Sequence, residues 1–243
     1  MLSDDVQPKA SKQPSGQQTS TGLVSLGHRT VEEVVFQKIR DEIITGRMKP
    51  HERLTYRELA QDLGVSVTPI RIALRELAKE GLVDVRAHAG ARVAPLSQVD
   101  LEEIMVTRMG IEGWLGRAGA QHLTDKDIST MATLLEQVRR DEEAEDRQAY
   151  LRSSWAFRTQ CYAAAEKPCL LERASDLYDL STRYHYLTIA ESPRLARSRH
   201  LMEEFFDACE SRDGELAQRV MQGALEWTLM YVSQGLTEIS PDY

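Results

Sequence analysis

The stretch that most constrains this chain is Leu54–Leu96, LTYRELAQDLGVSVTPIRIALRELAKEGLVDVRAHAGARVAPL. Apolar Leu59, Ala60 and Leu63 recur at helical spacing after Thr55, a residue suited to an N-cap, which predicts a first helix over Thr55–Leu63. Gly64 can turn left-handed past that helix end. Ser66 or Thr68 is placed to cap a second helix, with Pro69 in its first turn, where a missing N–H costs nothing. Ile70, Ala73, Leu74 and Leu77 form the buried stripe of this second helix, while Arg71, Arg75 and Lys79 face outward. Gly81 ends it. Leu82–Arg86 and Ala91–Pro95 are β-type runs joined by His88-Ala89-Gly90 as a hairpin tip. Helix, tight turn, helix and basic hairpin is the order of a winged helix-turn-helix, which lays its second helix in a DNA major groove.

The flanking sequence completes that unit and then changes character. Val31–Thr45 has Val31, Val34 or Val35, Ile39 and Ile43 at helical spacing, with Thr30 as its cap and Gly46 as its stop, and supplies a covering helix. Arg47–Arg53, with Pro50, reads as a loop. After Pro95 only helical patterns remain. They are expected over Gln98–His122, Asp125–Asp146 capped by Thr124, Gln148–Ala165, Cys169–Ala190 after Pro168, Leu195–Ser211 after Pro193, and a last helix from Asp213. The fold class is therefore mainly α, an N-terminal winged helix-turn-helix followed by an all-α antiparallel helical bundle. The expected boundaries are an arm at 1–27, the DNA-binding unit at 28–96, the bundle at 97–235 and a tail at 236–243. The arm is rich in Ser, Gln, Thr, Pro and Gly and reads as disordered, not as a signal peptide.

Charge decides less than its distribution does. The whole chain carries −8, an unusual sign for a DNA binder. Residues 28–96 hold 12 Lys/Arg against 10 Asp/Glu, or +2, whereas residues 97–243 hold 16 against 26, or −10. The acidity thus belongs to the bundle, and the case for DNA rests on where the positive charges lie. No apolar run reaches the roughly 20 residues of a membrane span. Cys161, Cys169 and Cys209 fit no metal spacing and sit in apolar helical company, so buried reduced thiols in a cytoplasmic protein are expected.

The residues Gly64-Val65-Ser66-Val67-Thr68-Pro69-Ile70-Arg71-Ile72-Ala73-Leu74 are similar to the GVSRTPVREAL of the GntR family of bacterial transcription regulators, and Leu77–Val83 continues its pattern. In the second half, Arg108-x-x-x-Glu112 and Asp213-x-x-x-Ala217-x-x-x-Met221 resemble the family's FadR-like branch, whose all-helical domain (FCD) binds a ligand. The resemblance spans about Thr30 to Gln234. It implies that Arg57, Ser66, Val67, Thr68 and Arg71 meet bases and phosphates, with His88, Gly90 and Arg92 at the wing. The chemistry agrees: a helix N-terminus and neighbouring hydroxyls suit a phosphate, and arginine bridges guanine O6 and N7. Two positions depart from the family. Val67 stands where Arg is usual and Ile72 where Glu is usual, so the operator sequence of relatives does not carry over. The competing reading of Arg57 and Arg71 as solvated residues of a protein-binding winged helix ranks lower, because Ser66, Thr68, Pro69 and Arg71 converge on one helix start.

Many FCD domains hold a divalent metal with an Asp and a His one turn apart plus two later His. The matching positions here are Ser154 and Arg158, with the register set by Lys167-Pro168. Met202 and Ala224 match the later two, 11 residues either side of Asp213. None is a usual metal ligand. His200 is two positions from Met202, about 200° around a helix, and should face away. No metal and no cofactor are expected. Arg158 can instead hold a carboxylate bidentately, with Arg108 as a second cation and Ser154, Met202 and Ala224 lining the site. The alternative is an Arg158–Glu pair, with Glu112 as one candidate, that only braces the bundle.

These readings predict a DNA-binding transcription regulator, a repressor of a catabolic operon relieved by a small organic acid. As a homodimer it would sit on a near-palindromic operator, since two half-sites mirror a two-fold axis. The alternative is a constitutive, effector-independent DNA binder whose ligand site has degenerated. An enzyme is disfavoured, because no nucleophile–base pairing, paired acids or phosphate loop stands at recognisable spacing.

Overall fold

Polar caps and left-handed residues set the ends of the elements along this chain. The computed structural model describes residues 30–86, 90–188 and 192–239. Helix α1 (Val31–Ile44) begins with a capping box. The Thr30 side chain accepts from the Glu33 amide, and the Glu33 side chain accepts from the Thr30 amide, which satisfies two otherwise unpaired donors. Helices α2 (Tyr56–Asp62) and α3 (Val67–Lys79) follow, separated by Gly64 at φ +65°. That backbone is left-handed and strained for any side chain. Thr55 and Ser66 occupy the two N-cap positions, and neither side chain makes a capping hydrogen bond.

Strand β1 (Arg53–Leu54) pairs with β3 (Gly90–Val93), which pairs in turn with β2 (Val83–Arg86), all antiparallel. β1 corrects the expectation of a loop up to Arg53. Its two residues show no alternation of their own, and its pairing comes from a segment far along the chain. The hairpin strands are also shifted from expectation. Gly90 pairs with Arg86 inside the sheet, and the ladder ends at Val93 rather than Pro95. Val35, Ile39, Ile43, Leu54, Ile70, Leu74, Leu77 and Leu82 are buried together as the core of this winged unit. Val31 and Val34, counted at the same spacing, lie half-exposed.

The bundle comprises α4 (Gln98–Ala120), α5 (Asp125–Glu143), α6 (Arg147–Ala163), α7 (Pro168–Thr188), α8 (Ser192–Glu210) and α9 (Gly214–Ile239). Its ends are set by chemistry that reaches only a few residues. Thr124 forms a second capping box with Asp127. Asp146 accepts from the Ala149 amide and so starts α6 instead of ending α5. Asp213 accepts from Leu216 and caps α9. Cys161 and Cys209 are buried, but Cys169 is exposed in the first turn of α7, contrary to expectation.

Helix α4 runs through the middle, packed on α9, α7 and α6. The approach to α6 depends on Gly119, where a Cβ would overlap the carbonyl oxygen of Cys161 and sit 3.0 Å from its sulfur. A methyl group there forces the backbones apart. Gly223 in α9 faces open space. Gly119→Ala should therefore destabilise the chain by about 2 kcal/mol or more. Gly223→Ala should stabilise it by about 0.5–1 kcal/mol through helix propensity and unfolded-state entropy. Paired denaturant titrations check both signs.

Candidate functional site

Two places concentrate the predicted residues: the outer face of the winged unit and a cavity in the bundle. On the winged unit, Ser66, Thr68 and Arg71 are exposed at the N-terminal end of α3, Val67 is half-buried beside them, and Arg57 is exposed on α2. The first-turn amides of α3 receive no side-chain cap from Ser66, so they remain donors for an anion. The Arg71 guanidinium lies 5.8 Å from the centre of the Tyr56 ring, a contact that orients it and that the sequence reading missed. Gly90 has φ +86° at the start of β3, opposite Arg86, and Arg92 Nη1 donates to the His51 carbonyl at 3.3 Å. His88 lies outside the described residues.

The cavity lies among α4, α6, α7, α8 and α9. Arg108, Ser154, Arg158, Met202 and Ala224, named from separate segments, all line it. Its volume is about 70 Å³, room for a compact ligand or a few waters but not for a long acyl chain. Leu201, Met202, Met221, Leu225 and Trp227 make one wall apolar, and no Asp or Glu is among the described lining residues.

The charged end is built around one carboxylate. Glu112, one turn after Arg108 on α4, is fully buried. Its Oε1 accepts from Arg108 Nε at 2.6 Å. Its Oε2 accepts from the Tyr162 hydroxyl at 2.9 Å and faces Arg158 Nη1 at 3.5 Å. Arg108, 1% exposed, also donates through Nη1 to Ser181 Oγ at 2.8 Å. Arg108 Nη2 is buried without a hydrogen-bond partner among the described residues. Such a donor costs about 1–3 kcal/mol, more for a charged group, and native structures rarely leave one.

Aromatic rings frame both guanidiniums. Tyr178 stacks on Trp155 at 4.2 Å, and the two arginines each lie 5.2 Å from the Tyr178 ring centre. Burial pulls the Arg158 pKa down, but the Glu112 carboxylate together with Tyr162, Tyr178 and Tyr150 outweighs this, so the net shift is upward and the group stays a cation. Burial likewise pushes the Tyr150 phenol at the cavity wall up to about 12.

A divalent metal does not fit this donor set. Ser154, Arg158, Met202 and Ala224 offer one hydroxyl, one cation, one thioether and no further donor, and two guanidiniums oppose a bound cation. His200 does not help. It is exposed on α8 beside Glu203 and Glu204. Among the described residues no cluster of three His, Cys, Asp or Glu could hold a metal ion.

The sequence reading missed Tyr178, Ser181 and His185. They follow one another at helical spacing on one face of α7, a signal present in the chain but not apolar enough to stand out. Of the carboxylates open to Arg158 in the sequence, the structure pairs it with Glu112, one candidate, yet Glu112 serves Arg108 more closely. Removing this carboxylate leaves two buried cations facing one another, so Glu112→Gln should cost about 3–5 kcal/mol, measurable as a lowered denaturant midpoint.

Comparison with known proteins bears on both places. Residues 31–93 match the bacterial regulatory proteins of the gntR family, and residues 103–226 match the FCD domain. A probable D-xylose utilization operon transcriptional repressor of Paenarthrobacter nicotinovorans is 30% identical over 79% of this chain and 86% of its own length. The HTH-type transcriptional regulator McbR of Escherichia coli K12 is 27% identical over 71% of this chain and 78% of its own length. The solved structure of E. coli McbR/YncC covers 86% of this chain and 100% of its own, at a TM-score of 0.74 and 23% identity, which shows the same fold. These relatives are transcriptional regulators and not enzymes, and this chain belongs to the GntR family of bacterial regulatory proteins, with an FCD domain following its DNA-binding unit.

Proposed function

We propose that this regulator represses its target as a homodimer on a near-palindromic operator, and that a small organic acid held by Arg108 and Arg158, without a metal, releases it. The observation that carries this reading is Arg108 Nη2, a buried guanidinium donor without a hydrogen-bond partner among the described residues, on a side chain that lines the cavity. Two guanidiniums share one carboxylate there, so a monoanion balances the charge where a neutral molecule would not. The apolar wall suits a short organic body behind the carboxylate. A single binding unit with a net charge of only +2 would gain useful affinity by pairing with a second copy.

The second reading, a constitutive DNA binder, is favoured by one fact: Glu112 already contacts both arginines. Thermal shift separates the two. A carboxylate at a hundredfold excess over its Kd stabilises a chain by roughly 2.7 kcal/mol, or about 5–10 °C at this size. We expect one or more short monocarboxylic acids to do so, and Arg158→Gln to abolish the shift. D-xylose, the sugar in the relative's name, serves as the neutral comparator. No stabilisation by any acid, with operator binding never relieved, supports the constitutive reading instead.

For the DNA face, Arg71→Ala should weaken binding to a genome-derived operator by about 1–3 kcal/mol. The melting temperature should stay unchanged, because the residue is exposed. Undiminished affinity in a gel-shift titration would contradict the proposed docking of α3.

A further inference from the structure

Helix α7 presents two different faces to two different parts of the molecule. Tyr178, Ser181 and His185 turn toward the bundle, where Tyr178 and His185 line the cavity and Ser181 accepts from Arg108. Asp179, Leu180 and Arg183 turn the other way. Leu180 packs against the core of the winged unit. Arg183 Nη2 donates to the Ala94 carbonyl at 2.6 Å, in the segment joining the two units. Asp179 Oδ2 accepts from Arg40 Nη1 at 2.7 Å. At 100° per residue these two sets fall on opposite sides of one helix.

Arg40 makes the second half of the link. It sits on α1, only 7% exposed, and its Nε donates to Glu80 Oε2 at 2.9 Å. Glu80 is the C-cap residue of α3. The same cation thus joins the last turn of the recognition helix to a helix that walls the cavity. A buried guanidinium held between two carboxylates resists losing either one, since a stranded buried charge is costly. If α7 shifts, Arg40 must follow Asp179, and Glu80 is drawn with it or released.

We propose that Asp179–Arg40–Glu80 is a latch through which α7 passes the state of the cavity to the C-terminal turn of α3. The proposal rests on the cavity being the effector site. An anion that takes up Arg108 Nη2 also alters the Arg108–Ser181 bond and the cation faces of Tyr178, both on α7. Rotation or sliding of α7 then reaches Asp179, which adjoins Tyr178 in the chain and pairs with Arg40 of α1. By linkage the effect runs both ways, and DNA held by α3 alters the cavity.

The test is a substitution cycle in the full-length chain, read by amide hydrogen exchange. Arg158→Gln disturbs the cavity whether or not a ligand binds there. We expect it to change exchange at Lys79, Glu80 and Gly81 by about fivefold or more, the lower end of coupling between distant sites. In an Asp179→Asn background the same substitution should leave those amides unchanged. Asp179 is 41% exposed in its side chain and Glu80 still pairs with Arg40, so the Asn variant should lose some stability but keep its fold, and a retained cooperative melting transition confirms it. Equal changes in both backgrounds, or no change in either, overturn the latch.

A parallel arm adds sodium acetate against sodium chloride at equal ionic strength. Acetate that protects the cavity in the native chain while leaving Lys79–Gly81 unchanged overturns the latch and spares the effector reading. Acetate that leaves the cavity unprotected counts against the effector reading, and the substitution cycle still decides the latch.

Discussion

The carboxylate of Glu112 is the point on which the bundle depends. It is fully buried and meets two guanidiniums and a phenol drawn from α4 and α6. At interior permittivity, charges this close interact strongly but are also expensive to desolvate, so such a cluster is a poor source of net stability. It is nonetheless demanding. One carboxylate cannot saturate two guanidiniums with ten N–H donors between them, and among the described residues the shortfall is left at Arg108 Nη2, on a side chain that lines the cavity. The cluster therefore fixes where α4 and α6 meet and leaves one guanidinium donor unpaired among the described residues.

The rest of the architecture divides labour around that point. The winged unit keeps its own core, and its α3 presents Ser66, Thr68 and Arg71 to solvent. The bundle carries the net negative charge, which repels DNA and leaves the winged unit as the surface that meets it. Helix α7 belongs to both, with the cavity on one side and Arg40, Leu180 and the Ala94 carbonyl on the other. A ligand of differential affinity is all such an arrangement needs in order to bias one geometry over another.

What could be read from the chain alone follows the range of the interactions. Caps, left-handed glycines and apolar stripes act within a few residues, so Thr30, Gly64, Gly81, Thr124 and the stripe of α3 were visible in sequence. β1 was not, because Leu54 is a strand residue only through its pairing with Ala91. The exposure of Cys169 was not, because it depends on which side of α7 meets the bundle. Ser154, Arg158, Met202 and Ala224 could be brought together only by counting along a family pattern; no local signal joins them. Tyr178, Ser181 and the bridging role of Arg40 depend on how α7 is docked. Arg40 in particular looks like one more charge on an amphipathic helix until Glu80 and Asp179 are seen on either side.

The central claim is that the cavity takes an anion through guanidiniums alone. Calorimetric titration of the full-length protein with the carboxylic acid that best raises its melting temperature tests this directly, run with and without EDTA and on Arg158→Gln. The account predicts one site per chain, the same Kd with and without the chelator, and binding lost in Arg158→Gln. Binding abolished by EDTA, or retained undiminished in Arg158→Gln, would contradict it.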